Sequence, residues 1–144
     1  MKQNTSTLAA LSLFLLLQSG CAMARREDGG NGAVIVFKEL VKTSRSWDGK
    51  LLIPYPKGQP EITIRRVSIP AGARLETHSH PMINAGVLLS GKLKVVTLDG
   101  KTLHLKAGDP IVEVVNTLHY GINEGDMPAE IVVFYAGAVG AQHP

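Results

Sequence analysis

The sequence predicts an all-β domain, a small antiparallel sandwich or closed barrel. Short β-branched runs recur at intervals of roughly 8 to 12 residues, separated by Gly, Pro, Asn and Asp turn signals. Apolar residues show almost no helical periodicity. The 144 residues hold one domain once the N-terminus is set aside.

That N-terminus, residues 1–24, reads as an export signal. Lys2 supplies positive charge, and "LAALSLFLLL" (8–17) is an apolar core too short for a stable membrane anchor. Two processing routes are open. Ala22-Met23-Ala24 is a small-residue cleavage box, and "QSGC" offers Cys21 for lipidation, although Gln18 stands where an aliphatic residue is usual. Both routes lead to the bacterial cell envelope. The first gives a soluble periplasmic protein, and only the second involves a membrane.

Cleavage after Ala24 removes the only cysteine, so the mature chain carries no thiolate or disulfide chemistry. The chain has 15 Lys+Arg and 12 Asp+Glu, and loss of the signal removes only Lys2, leaving 14 against 12. The basic residues are spread singly and aromatics are few, which excludes a nucleic-acid footprint. There is no phosphate loop, nucleophile elbow or dinucleotide fingerprint.

Residues 25–33, "RREDGGNGA", form a polar, glycine-rich leader. A barrel is expected over 34–137, and 138–144 form an exposed tail containing His143. "AVIVFKELV" opens the β-type runs, and "SWDGKLLIPYPKGQP" makes a hairpin or long loop in which Trp47 and Tyr55 either line a pocket or serve as packing anchors. "EITIRRVSI", "INAGVLLSG" and "KLKVVTL" follow as strands. Asp99-Gly100 predicts a two-residue hairpin turn that would set His104 opposite Val95 as a structural or surface histidine. "PIVEVV", "HYGIN" and "AEIVVFYAG" complete eight to ten short strands. Several runs are apolar on both faces, a surplus that suggests a sheet packed on a partner subunit.

Chemistry concentrates in "ETHSHPMINAGVLLSG" (76–91). Residues i and i+2 of a strand point the same way, about 6.7 Å apart, so His78 and His80 can converge on one ion. His119, in "NTLHYGIN", supplies a third imidazole from a later strand. No acidic residue follows the pair before Gly91. Glu113 is an odd carboxylate among four aliphatic residues. Facing inward it would have a raised pKa and could act as a general base, whereas strand alternation also allows it to face solvent. Tyr120 points away from His119 by the same alternation.

These residues sit in two framed blocks. Gly72, His78, His80 and Gly91 match G-x5-H-x-H, three or four residues, E, x6, G. Gly108, His119 and Asn123 match G-x5-P-x-G-x2-H-x3-N. Over roughly residues 61–136 the chain resembles the cupin superfamily. The resemblance implies a single antiparallel jelly-roll β-barrel, usually a homodimer, with a metal held inside by the motif histidines. Three positions depart from the pattern: Asn84 stands at the glutamate, and Val114 and Asn116 replace the proline and glycine, which affects a turn more than the chemistry.

Asn84 would be a weak, neutral ligand or a donor to one, so three neutral imidazoles leave a divalent ion strongly Lewis-acidic and open to water, oxygen or an anionic substrate. By resemblance to three-histidine cupin dioxygenases, Fe(II) is the first choice, with Mn, Zn, Ni and Cu also suited to imidazole. The expected function is an exported mononuclear metalloenzyme of dioxygenase type acting on a small organic substrate. The alternative is a non-catalytic small-molecule or metal-binding module, since one fold hosts many functions.

Overall fold

The computed structural model describes residues 34–141, and the export signal, Cys21, the leader and His143 lie outside them. The chain divides after Val36 into an N-terminal unit and the unit beginning at Phe37. Seven strands and no helix occur among the described residues: β1 (Pro60–Ile69), β2 (Ile83–Ser90), β3 (Lys92–Thr97), β4 (Thr102–Lys106), β5 (Pro110–Val112), β6 (His119–Ile122) and β7 (Ala129–Ala138). All pair antiparallel, in sheets of order β1-β7-β2-β5 and β4-β3-β6. This is the expected all-β jelly-roll arrangement.

Strand alternation builds the interior. β7 buries Ala129, Ile131, Val133 and Tyr135 on one face, β3 buries Leu93, Val95 and Thr97, and these meet Ile69, Leu88, Leu105 and Ile111 in one core. Gly91 links β2 to β3 at φ 77°, and a Cβ there would come within 2.8 Å of Pro128 O and of Ala129 Cα. Only glycine suits that backbone and that spacing.

Motif Asn123 is fully buried and ties three crossings together. Its Nδ2 donates towards Ile69 O, Pro70 O and Met127 O at 2.8–3.1 Å, while Oδ1 accepts from Gly125 N at 2.9 Å. Asn116, at the motif glycine, has φ 52°, a left-handed conformation that asparagine tolerates better than most residues. That position therefore keeps its backbone shape without glycine.

Three local expectations are corrected. Of the β-type run at 33–41, the described residues 34–41 form no strand and are exposed, Phe37 at 92%. Their β-branched composition favours extension, yet no edge within the described chain pairs with them. The β3–β4 connection is a three-residue loop, Leu98–Asp99–Gly100, closed by Thr97 N to Lys101 O at 3.0 Å. Gly100 takes the positive φ (90°) that such a loop requires. The extra loop residue moves the register by one, so His104 faces Lys94, and Val95 faces Leu103.

Candidate metal centre

His78 and His80 lie on a chain segment that joins no named strand but bridges two places. His78 pairs with His119 through reciprocal backbone bonds of 2.9 and 3.0 Å, and His80 bridges Val115 in parallel. The i, i+2 spacing and the start of β6 thus bring three rings together, with centroids 4.5–4.9 Å apart. One ligand atom from each lies within 4.8 Å of the others, and His80 and His119 are buried.

The tautomers follow from the backbone. His78 Nδ1 is 2.8 Å from Glu76 O, and His119 Nδ1 is 2.8 Å from Thr117 O. A carbonyl only accepts, so each Nδ1 donates its hydrogen and leaves Nε2 with a bare lone pair. Burial, with His119, His78 and Arg65 adding repulsion, pushes the His80 pKa down to about 3. Burial also lowers that of His119. Both rings are therefore neutral at pH 7, the form a metal binds.

Asn84 and Glu113 complete the polar end. Asn84, on β2 opposite Tyr135, is 1% exposed, and neither its Oδ1 nor its Nδ2 has a hydrogen-bond partner. Glu113 follows directly after β5, where Glu113 N bonds Asn84 O at 3.0 Å and turns the carboxyl inward. The outward-facing alternative is thereby excluded. Its Oε2 stands 3.7 Å from His119 Nε2. Burial raises its pKa to about 7, against the opposing pull of His78, the Trp47 side chain and the Val114 amide.

Unmatched buried polar atoms are costly and rare, yet His80 Nδ1, both Asn84 atoms and Glu113 Oε2 are gathered here. Together with three imidazoles offered as neutral donors, they fit a divalent ion and its remaining ligands.

The other singled-out residues divide. Trp47 sits on a small hairpin closed by the Arg45–Leu51 bridge and docked by Trp47 N to Val112 O at 2.9 Å, packing against the core beside Glu113. Tyr55 is exposed and takes no part. His104 is exposed, 3.9 Å from Glu124. Tyr120 points away from the centre and lies under the Arg74 guanidinium, 3.8 Å from its ring centroid.

Sequence reading missed Tyr135, whose ring lies 5.8 Å from that of His80 with the Arg65 guanidinium 5.3 Å away on the same inner face. Its signal was present in "IVVFYAG": a tyrosine at every-second-residue spacing from Ile131 and Val133. The polar end opens into a cavity of about 310 Å³, reaching the exposed Glu76 and Thr77.

With this geometry established, the comparisons agree with the motif reading. Residues 65–135 match the cupin domain family, and the chain belongs to the cupin superfamily. The cupin domain of Schizosaccharomyces pombe Cnp3 is similar at 19% identity over 60% of this chain and 64% of that one, with a TM-score of 0.50. A cupin domain from Bordetella pertussis Tohama I aligns at 22% identity, over 60% and 99% of the two chains, with a TM-score of 0.48. An oxalate oxidase aligns at 25% identity over 53% of this chain, with a TM-score of 0.49, and only 42% of its own length is spanned. No curated protein matches the chain.

Proposed function

We propose that the protein is an exported mononuclear metalloenzyme of dioxygenase type, with Fe(II) at the three-histidine centre and a small organic substrate. The observation that carries this reading is the convergence of three imidazoles, two of them with Nε2 bared by backbone bonds, beside a buried carboxyl. His78, His80 and His119 would hold the ion, with Asn84 Oδ1 as a weak further ligand. When bound, such an ion supplies Lewis acidity and a site for oxygen.

The remaining chemistry belongs to the chain. With a pKa near 7, Glu113 takes or gives a proton at Oε2 close to neutrality, the condition for general acid–base work. The aliphatic walls keep bulk water from that carboxyl. The homodimer belongs to the same reading. Ile62 and Ile64 of β1 face outward beside Phe134 of β7, all exposed, and this apolar patch suits a second copy.

The deciding experiment is oxygen consumption by Fe(II)-loaded protein across a panel of diketones, phenols, thiols and uronates. Iron-dependent turnover of one class supports the reading. Ligand-induced thermal shifts without turnover across the panel would establish the binding module instead.

A further inference from the structure

The cavity has a direction. Its polar atoms gather at one end, where Asn84 faces Tyr135 and Thr97 faces His119 across their strands. From that level β7 and β3 turn aliphatic together, while on β1 the inward Arg65, opposite Val133, sets its guanidinium 5.3 Å from the Tyr135 ring centroid. On β7 the next inward residues are Val133 and Ile131; on β3 they are Val95 and Leu93. β1 adds Val67 opposite Ile131, then Ile69. Tyr135 to Ile131 is four residues, about 13 Å of strand. No side chain lining this second half carries a hydrogen-bonding atom.

One detail shows how the lobe is kept open. Gly121 faces Val95, and a Cβ there would lie 3.1 Å from Leu75 Cδ1 and 3.3 Å from Leu93 Cδ1. Any larger residue would push those leucines into the space. The volume, about 310 Å³, is at the lower end of that of small-molecule sites.

We propose that the substrate is two-ended: an anionic, metal-chelating head joined to a compact apolar body of branched-alkyl or single-ring size. Resting on the metal reading above, this narrows its substrate class. A polyhydroxylated body would strand its hydroxyls against Val, Ile and Leu side chains, and a two-carbon dianion would leave the lobe unfilled. The inward side chains of β7 and β3 at these levels are all aliphatic, so specificity for the body comes from shape and burial.

The test compares two probes that share a 2-oxo-acid head with a third, polyhydroxylated carboxylate. Calorimetry on metal-loaded protein is run with pyruvate, 4-methyl-2-oxopentanoate and glucuronate, metal content being measured on the same samples. Each buried methylene adds roughly fourfold in affinity, so 4-methyl-2-oxopentanoate is expected to bind at least tenfold tighter than pyruvate, with glucuronate weakest. Leu75→Phe, on the segment leading to the histidines, fills the lobe and is expected to erase that preference without changing metal content. Equal affinity for the two oxo acids, or tightest binding of glucuronate, in protein holding one metal per chain overturns the two-ended substrate and leaves the metal reading intact. Protein that holds no metal overturns the metal reading. The lobe is then judged on metal-free protein with 4-methylpentanoate against acetate, where equal affinity overturns it and a tenfold preference for the longer acid supports it.

Discussion

Glu113 Oε2 lies 3.7 Å from His119 Nε2, so a buried acid stands beside the ring nitrogen whose lone pair is bare. Removal of metal leaves Glu113 and the buried rings to titrate against the fold, and acid and imidazoles pull in opposite directions.

In chelator-treated protein, between about pH 4.5 and 7 folded Glu113 keeps a proton that the unfolded chain has released, so its contribution to stability falls as pH rises. His80 behaves oppositely. Between about pH 3 and 6.5 the unfolded chain binds a proton that the folded ring refuses, so stability falls as pH drops. Each effect amounts to a few kcal/mol at about 1.4 kcal/mol per unit. His119, whose pKa burial also lowers, acts in the same sense as His80, so melting curves of the wild type are expected to show a shallow rise in Tm with pH between 4.5 and 6.5. Glu113→Gln removes the opposing contribution and is expected to steepen that rise.

Metal content follows the three rings. Wild-type protein expressed without a tag is expected to carry about one divalent ion per chain by elemental analysis, falling at least tenfold in His78→Ala, His80→Ala and His119→Ala. Asn84→Glu is expected to tighten binding at least tenfold in chelator competition, because it restores an anionic ligand among neutral ones.

Asn123 provides a stability test remote from the metal. Asn123→Ala removes the bonds that its side chain makes to Ile69 O, Pro70 O, Met127 O and the Gly125 amide, of which Pro70 O alone is seen to keep another donor, Ala73 N at 3.1 Å. Denaturant unfolding is expected to show a loss of about 2 kcal/mol or more, with metal content unchanged in the folded fraction.

Light scattering at micromolar concentration is expected to give a dimer mass for the wild type. Ile64→Lys with Phe134→Lys, paired across β1 and β7 on the outer face, is expected to yield monomers that still bind metal.

The residues that carry the chemistry were legible because each is tied to spacing. His78 and His80 share a side by strand geometry, and Gly72, Gly91 and Gly108, which frame the two blocks, all take positive φ. What spacing does not encode is facing where strands end. Glu113 sits one residue past β5, so alternation could not settle its direction; the Glu113 N–Asn84 O bond did. Residues 33–41 read as a β-type run because composition reports extension but never the presence of a neighbour. The loop at 98–100 differed by one residue, enough to move His104 from Val95 to Lys94.

Both ring tethers in the centre reach the main chain exactly two positions upstream, from His78 to Glu76 O and from His119 to Thr117 O. A carbonyl survives almost any replacement of the side chain attached to it. Descendants of this chain are therefore free to drift at 76 and 117 with the donor geometry inherited unaltered, and changes at 76 and 77 remodel what the cavity admits. New ligand preferences can arise there by single substitutions, without passing through forms that have lost the ion.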